Sequence, residues 1–402
     1  MKRTLLVLGA GVFQIPLILK AKELGYTACA TSFLPDDPGL RICDRAFNVS
    51  TLDLDGLERL CRDERVSGVV TAASDVGTLA VGRLNDRLGL PGLTEDQVRN
   101  VTDKVAFVRL LKRLELPCPQ SQSVDGLRDL DAALETVRSY PVIMKPRFAS
   151  GSRGVRVCAS AIEVRLNHAA VMRSSLLDPG YVLQQFLPGI EHGGECLLEN
   201  GSVAFLRLTH KYHNERKVPL GHCVPYECPP TVMDSLRRQI ETIAKALHVQ
   251  HSAVNLDVIL PPDGPPHLID VSFRLGGNLL PHLMHQAFGT DTHERVIRYC
   301  SGEALPPLAA QREPHGCYGS IIFGGNAGGT LTKQLVVATR QLFEESSDLI
   351  DLAFDIVPGQ RYEAFDQGSH RYGHALFRVD GLRAYERLLE AQRSILRDRS
   401  MS

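Results

Sequence analysis

The sequence predicts an α/β protein that turns into α+β: a doubly wound parallel sheet over residues 1–100, followed by antiparallel strands and helices. Three patterns predict it. Short apolar runs alternate with helical segments from residue 4 to about 72. That alternation stops near the breakers Pro117 and Pro119. Beyond them, apolar runs flank turns rich in glycine and proline instead of helices.

Taken in order, strands are expected over 4–8, 28–31 and 69–72, with helices over 13–24, stopped by Gly25, and 57–65. Thr102 is the expected cap of a helix over 103–114, so a boundary falls between residues 95 and 120. Strands over 141–145 and 155–158 enclose a glycine-containing loop, and another covers 181–186. A further pair, 255–260 and 267–273, surrounds Pro261-Pro262-Asp263-Gly264-Pro265-Pro266. From Pro306 the chain carries Gly324-Gly325 and Gly328-Gly329, then strands around 374–379. It closes on an amphipathic helix with Leu382, Tyr385, Leu388, Leu389 and Ile395 on one side. Three units result: 1–100, 101–305 and 306–402.

With 45 basic and 46 acidic residues, the formal charge of -1 leaves no electrostatic footprint for nucleic acid or an anionic membrane. Small-molecule substrates are the expected partners. Gly9 and Gly11 break the first apolar run, which reads as a strand and not as a secretory signal. No run approaches the ~20 apolar residues of a membrane span. Ten cysteines without a CxxC pair fit reduced thiols in the cytoplasm. A homodimer is the default assembly.

Gly9-Ala10-Gly11 follows a strand, but Gln14 stands at the third glycine position and no acid ends the second strand, which argues against an NAD-dependent oxidoreductase. No GxxxxGK[ST], GxSxG or HExxH sequence occurs. The loop Ser150-Gly151-Ser152-Arg153-Gly154, beside Lys145, reads either as a lid whose N–H groups meet a polyphosphate or as a mobile hairpin tip.

Asp257 and Asp270 carry the strongest argument from the residues themselves. In a regular hairpin centred between Asp263 and Gly264 they face each other directly, about 5 Å apart at Cβ, which is unfavourable for like charges unless a cation lies between them. Mg²⁺, or Mn²⁺ in its place, suits such an oxygen-only pair that leaves room for phosphate oxygens. The alternative is an exposed hairpin in which Arg274 bridges the acids. Alternation puts Asp270, Ser272 and Arg274 on one face and Ile269, Val271 and Phe273 on the other, toward the core. Gly276-Gly277-Asn278 then offers N–H groups for an oxyanion beside Arg274. The histidines and cysteines of 210–228 show no zinc spacing, and a loop lining a polar pocket is expected there. His282 and His285 read as structural or pocket-lining histidines.

The order of these segments resembles the ATP-grasp superfamily, in particular its carbamoyl-phosphate-synthase-like and amino-acid-ligase branches. The resemblance runs from Leu5 to about Gly289 and rests on Thr102-Asp103-Lys104, Val142 to Pro146, Ser150 to Val155, Gln184 to Glu191, Leu256 to Ile259 and Ile269 to Asn278. It implies an ATP-grasp fold with an N-terminal doubly wound domain and a C-terminal lobe. It also implies that Lys104 and Lys145 reach the ATP phosphates and that Gln184, Gln185, Phe186 and Leu187 form the adenine hinge. Glu191 would accept from the ribose, and Ser150, Gly151, Ser152 and Gly154 would close over the phosphates. Asp257 and Asp270 would hold Mg²⁺, and Arg274 would grip the acyl phosphate or substrate carboxylate beside Gly276, Gly277 and Asn278. Gln184 stands where the family often has glutamate, Asp270 replaces a glutamate, and Ser272 an asparagine.

The implied activity is ATP-dependent joining of a carboxylate to an amine through an acyl phosphate, with Arg274 and Lys145 as the catalytic cations. The rivals are a bicarbonate-using carboxylase of the purine-biosynthetic type and a nucleotide-binding regulator without ligase chemistry.

Overall fold

In the computed structural model, which describes residues 2–399, the N-terminal alternation gives β1 (Thr4–Leu8), α1 (Ile15–Glu23), β2 (Thr27–Thr31), β3 (Arg45–Phe47), α2 (Leu54–Asp63), β4 (Val66–Val70) and α3 (Asp75–Leu88). The strands form a parallel sheet in the order β3-β2-β1-β4. Both faces of β1 and β2 are covered, which is why they read as unbroken apolar runs. Gly9 turns the chain out of β1 at φ +88°, and the Gln14 amide donates to Ala72 O at 2.5 Å. The third position of the glycine motif is thus filled by a side chain that stitches the turn to the end of β4.

Next come α4 (Glu95–Thr102) and α5 (Lys104–Arg113). Asp103 caps α5, accepting from Val105 N at 3.0 Å and Ala106 N at 3.3 Å, while Thr102 closes α4, so the expected Thr102 cap is displaced by one residue. Asp103 also forms an ion pair with Arg147 at 2.7 Å, which an uncharged threonine could not.

The second sheet comprises β5 (Ser121–Val124), β6 (Val142–Pro146), β7 (Arg156–Cys158) and β8 (Tyr181–Gln185), antiparallel in the order β5-β8-β6-β7. Leu130 and Ala133 of α6 (Leu127–Thr136) and Val164 and Val171 of α7 (Ala161–Arg173) pack on it. The glycine loop joins β6 to β7.

The largest sheet draws on β9 (Ile190–Glu199), β10 (Ser202–His213), β11 (Pro219–Val224), β12 (Ser252–Leu260) and β13 (His267–Ser272). Helix α8 (Pro230–Ala246) lies between β11 and β12 in sequence, and α9 (Leu280–Phe288) and α10 (Thr292–Cys300) follow β13. Then come β14 (Cys317–Phe323), β15 (Gly329–Thr330), α11 (Lys333–Ser346), β16 (Asp348–Phe354), β17 (Arg361–Tyr362), β18 (Gly373–Val379) and α12 (Leu382–Arg399). Eight strands run β13-β12-β9-β10-β11-β14-β18-β16, so strands from either side of residue 306 share one sheet. Residues 210–224, expected as a loop, belong to the β10–β11 hairpin. On α12, Tyr385, Leu388 and Leu389 are buried and Leu382 and Ile395 pack beside them, as the amphipathic pattern requires.

The β12–β13 pairing places Asp257 opposite Asp270, but a bulge follows: Val258 meets Leu268, and Ile269 is left over. One extra residue flips the alternation. Leu268 and Val271 enter the core, and Ile269 lines the cleft instead of the core face assigned to it. No helix among the described residues is long and apolar enough to cross a membrane.

Candidate active site

A cleft of about 1100 Å³ is lined by residues of all three large sheets and their loops. Lys104, Lys145, Ser150, Gly151, Ser152, Gln184, Gln185, Phe186, Leu187, Glu191, Asp257, Asp270, Arg274, Gly277 and Asn278 line it, whereas Gly154 and Gly276 do not.

Its floor is a row across the large sheet in which Asp270, Asp257, Gly193 and Thr209 are successive partners on β13, β12, β9 and β10. Two like charges face each other there, and each already has a cation. Lys104 Nζ lies 3.2 Å from Asp270 Oδ2 and donates to Ala149 O at 3.2 Å. Lys211, two residues along β10 from Thr209, places Nζ 2.7 Å from both Asp257 Oδ1 and Glu191 Oε1. Burial works against the charge of Lys104, yet Asp270 and Asp75 hold its pKa above the usual lysine value. Two acids share Lys211, and they part company. Burial, Glu191 and Asp270 together outweigh Lys211 at Asp257 and push its pKa up, while at Glu191 burial is overcome by Lys211 and the pKa falls.

Lys145 differs from both other lysines. Its Nζ donates to Ile269 O at 3.2 Å, and among the described residues no carboxylate lies within ion-pair distance. Burial lowers its pKa, with the Lys104 charge adding to the effect against Asp270. The bulge supplies that carbonyl: Ile269 is the unpaired residue of the hairpin.

Above the floor, the glycine loop reaches across the cleft. Gly151 O accepts from Gly368 N at 2.9 Å, and Ser152, at φ +60°, donates its hydroxyl to Lys217 O at 2.7 Å. Gln184 is buried in β8 and donates to Ser121 Oγ at 2.9 Å, and Gln185, Phe186 and Leu187 continue along the wall.

At the other end, Arg274 is held by three acceptors: Asp75 Oδ1 on Nε at 2.9 Å, and Asn255 Oδ1 and Leu275 O on Nη1 at 3.3 and 3.0 Å. Ser272 Oγ donates to the same Asp75 oxygen at 2.9 Å, so its hydroxyl is directed at Asp75 and not toward the paired acids. Gly277 and Asn278 face the cleft, but the Gly276 N–H points the opposite way, donating to both carboxyl oxygens of Glu195 at 3.2 Å. It therefore offers no bond to an oxyanion in the cleft. Glu195 is fully buried, and burial pushes its pKa up to about 8 against the pull of the Gly276 N–H, Arg274 and Asn255. The folded protein thus holds a proton that the unfolded chain releases near the ordinary glutamate value. Stability from this group is complete below that value and is lost as pH rises toward about 8. Glu195→Gln is expected to stabilise the fold at pH 8.5 by on the order of a few kcal/mol, seen as a raised melting temperature, and to leave it nearly unchanged near pH 4.5. Equal shifts at both pH values in thermal melts would contradict a protonated Glu195.

Asp75, Lys211 and Arg371, which the sequence patterns do not single out, also line this cleft, as does His222 from the segment expected to line a polar pocket. His222 on β11 stands opposite Lys211, with Nδ1 2.8 Å from Thr209 Oγ1. A Cβ on Gly193 would lie 2.7 Å from the His222 Cε1, so that glycine makes room for the ring. Burial and Lys211 lower the His222 pKa to about 3, which keeps the imidazole neutral. Arg371 packs its guanidinium over Phe13 at 3.8 Å and meets Asp355 at 3.0 Å, while its buried Nη1 has no hydrogen-bond partner among the described residues. Period-two spacing of Thr209, Lys211 and His213 marks a polar face on β10 and was the signal available for Lys211. Asp75 and Arg371 gave none, because their partners lie far away in the chain.

Comparison with known proteins follows the same outline. The ATP-grasp domain family matches residues 101–278. The chain is 21% identical over 304 residues to the carbamoyl phosphate synthase large chain of Thermotoga neapolitana, a match that takes in 73% of this chain and 27% of that protein. The chain spans about half the length, or less, of the first curated relatives it matches. Among solved structures, the L-amino acid ligase of Bacillus licheniformis superposes with a TM-score of 0.81 at 18% identity, covering 97% of both chains. N5-carboxyaminoimidazole synthetase of Staphylococcus aureus, in complex with ADP, gives 0.78 at 16% identity over 98% of each chain. Residues 101–278 thus match the ATP-grasp domain family, and the whole chain shares its fold from end to end with these two solved structures.

Proposed function

We propose that this protein is an ATP-dependent carboxylate–amine ligase that forms an amide or peptide bond through an acyl phosphate and releases ADP and phosphate. The observation that carries the reading is the Asp257–Asp270 pair on the cleft floor, ringed by Lys104, Lys145, Lys211 and Arg274 beneath a glycine loop. That is a concentration of positive charge and opposed carboxylates suited to a polyphosphate meeting a carboxylate.

Two aspartates, with Ser272 turned to Asp75, fit Mg²⁺ or Mn²⁺, which keep few protein carboxylates and fill their shell with water and phosphate oxygens. When bound, such an ion supplies charge neutralisation at the transferring phosphate. Among the described residues no group of three or more His, Cys, Asp or Glu side chains is arranged to hold a metal on its own.

The chain's own residues do the rest. Lys145 and Lys104 meet phosphate oxygens, Gln184 to Leu187 flank the adenine, Glu191 accepts from the ribose, and Ser150, Gly151 and Ser152 cover the phosphates. Arg274, with Gly277 and Asn278, orients the substrate carboxylate. A carboxylate oxygen attacks the γ-phosphorus and the bond to ADP breaks; the amine nitrogen then attacks the acyl carbon, phosphate leaves with the electron pair, and the amine proton passes to solvent. The units 1–100, 101–305 and 306–402 would each contribute one wall.

An ADP-release screen against amino acids taken in pairs, with mass spectrometry of the products, tests the reading. ADP and a condensed product from at least one pair are expected. Turnover that depends on bicarbonate alone would instead establish the carboxylase reading.

A further inference from the structure

We propose that Asp75 is a positioning residue for the acyl-phosphate step, fixing Arg274 from the N-terminal unit so that its free amino group meets the reacting carboxylate. The inference rests on the ligase reading, which puts a carboxylate at Arg274.

Asp75 is the first residue of α3, preceded by the cap Ser74, whose hydroxyl accepts from Gly77 N at 3.0 Å. On sequence it is an ordinary acid in the first turn of a helix, where the dipole favours it. The chain bends to aim it elsewhere. Ala73 takes φ +56°, a left-handed conformation that costs a non-glycine residue, and its N–H donates to Leu275 O at 3.1 Å. Ala72 bridges Leu275 in parallel. The turn after β4 is thereby fastened beside the Arg274 backbone, and Asp75 enters the cleft only 4% exposed.

One oxygen of Asp75 serves two donors. Oδ1 accepts from Arg274 Nε and from Ser272 Oγ, each at 2.9 Å. Arg274 Nη1 is used by Asn255 and Leu275, so Nη2 is the one guanidinium nitrogen without a protein acceptor among the described residues. A guanidinium held on Nε and Nη1 has its plane fixed, and a fixed plane is what separates an arginine from a floppy point charge. Burial would raise the Asp75 pKa, but Arg274 and Lys104 overcome it and keep the carboxylate ionised.

A merely structural ion pair would also join the two units, so the test separates orientation from stitching. The full-length wild type, Asp75→Ala, Asp75→Asn, Arg274→Lys and the Asp75→Ala/Arg274→Lys double variant are assayed for ADP release with the amino-acid pair that turns over fastest in the screen. ATP affinity by calorimetry and melting temperature are measured alongside. Asp75→Ala is expected to lower kcat/KM for the carboxylate about 100-fold, with ATP affinity changed no more than about twofold. Asp75→Asn, which still presents an acceptor to Nε, should lose only about tenfold and carries the test if the alanine variant fails to fold. Once Arg274 is lysine, removing Asp75 should cost no more than about twofold further. Losses that multiply in the double variant, or ATP affinity and melting temperature falling in step with kcat/KM, overturn the proposal in favour of stitching. A wild type that turns over no pair overturns the ligase reading, and the role of Asp75 with it.

Discussion

Asp257→Asn and Asp270→Asn are each expected to lower ADP formation on the order of 1000-fold while the protein stays folded. Each substitution keeps shape and removes one charge from a site that offers two. The folded state should tolerate the change at Asp257, because burial, Glu191 and Asp270 already disfavour its ionised form. Its melting temperature should hold or rise. At Asp270 the substitution leaves Lys104 an amide oxygen and the Ala149 carbonyl but removes the charge opposite it, so some stability is lost there. The check is steady-state ADP release at several magnesium concentrations, with melting curves on the same preparations. Near-normal turnover by either variant at ordinary magnesium would remove the pair from the metal role.

Lys145→Ala is expected to weaken ATP binding roughly 100-fold, since a charge-assisted bond in a buried site is lost. The structure adds a sign to this expectation. Lys145 is buried, its pKa is depressed, and its direct partner is the Ile269 carbonyl, so the empty protein carries a cation that burial disfavours. Removing it should leave the melting temperature unchanged or raise it, while abolishing most of the stabilisation that ATP provides. Calorimetry and ATP-dependent melting shifts read both quantities. Unchanged nucleotide affinity would mean that Lys145 serves the β6–β13 contact and not the phosphates.

How much was legible in the sequence follows from the range of each interaction. The strands β1, β2 and the end of β4 were readable because apolar runs and glycine stops are local. The facing of Asp257 and Asp270 was readable because a hairpin relates close neighbours by symmetry about its turn. The bulge at Ile269 was not, since nothing in His267 to Asp270 distinguishes an extra residue from a regular strand, and it reverses which residue meets the cleft. The Gly276 assignment failed for a related reason: a glycine N–H can face either way, and Glu195, 81 residues earlier, decides it. Asp75 lies 199 residues from Arg274, and no spacing rule connects the first residue of a helix to the end of a strand in another sheet. Short strands such as β3, and the hairpin of 210–224 disguised by its polar residues, escaped because their burial depends on neighbours supplied from elsewhere in the chain.

The most direct test of the acyl-phosphate route follows oxygen from the acid to phosphate. With the carboxylate substrate labelled with ¹⁸O and the amine present, that route must deliver one labelled oxygen to each phosphate released, because the carboxylate oxygen that attacks the γ-phosphorus leaves with it. Phosphate carrying that label in step with product is the predicted result. Phosphate free of label while product still forms would contradict the acyl phosphate, and with it the roles of Arg274 and the cleft floor in forming it.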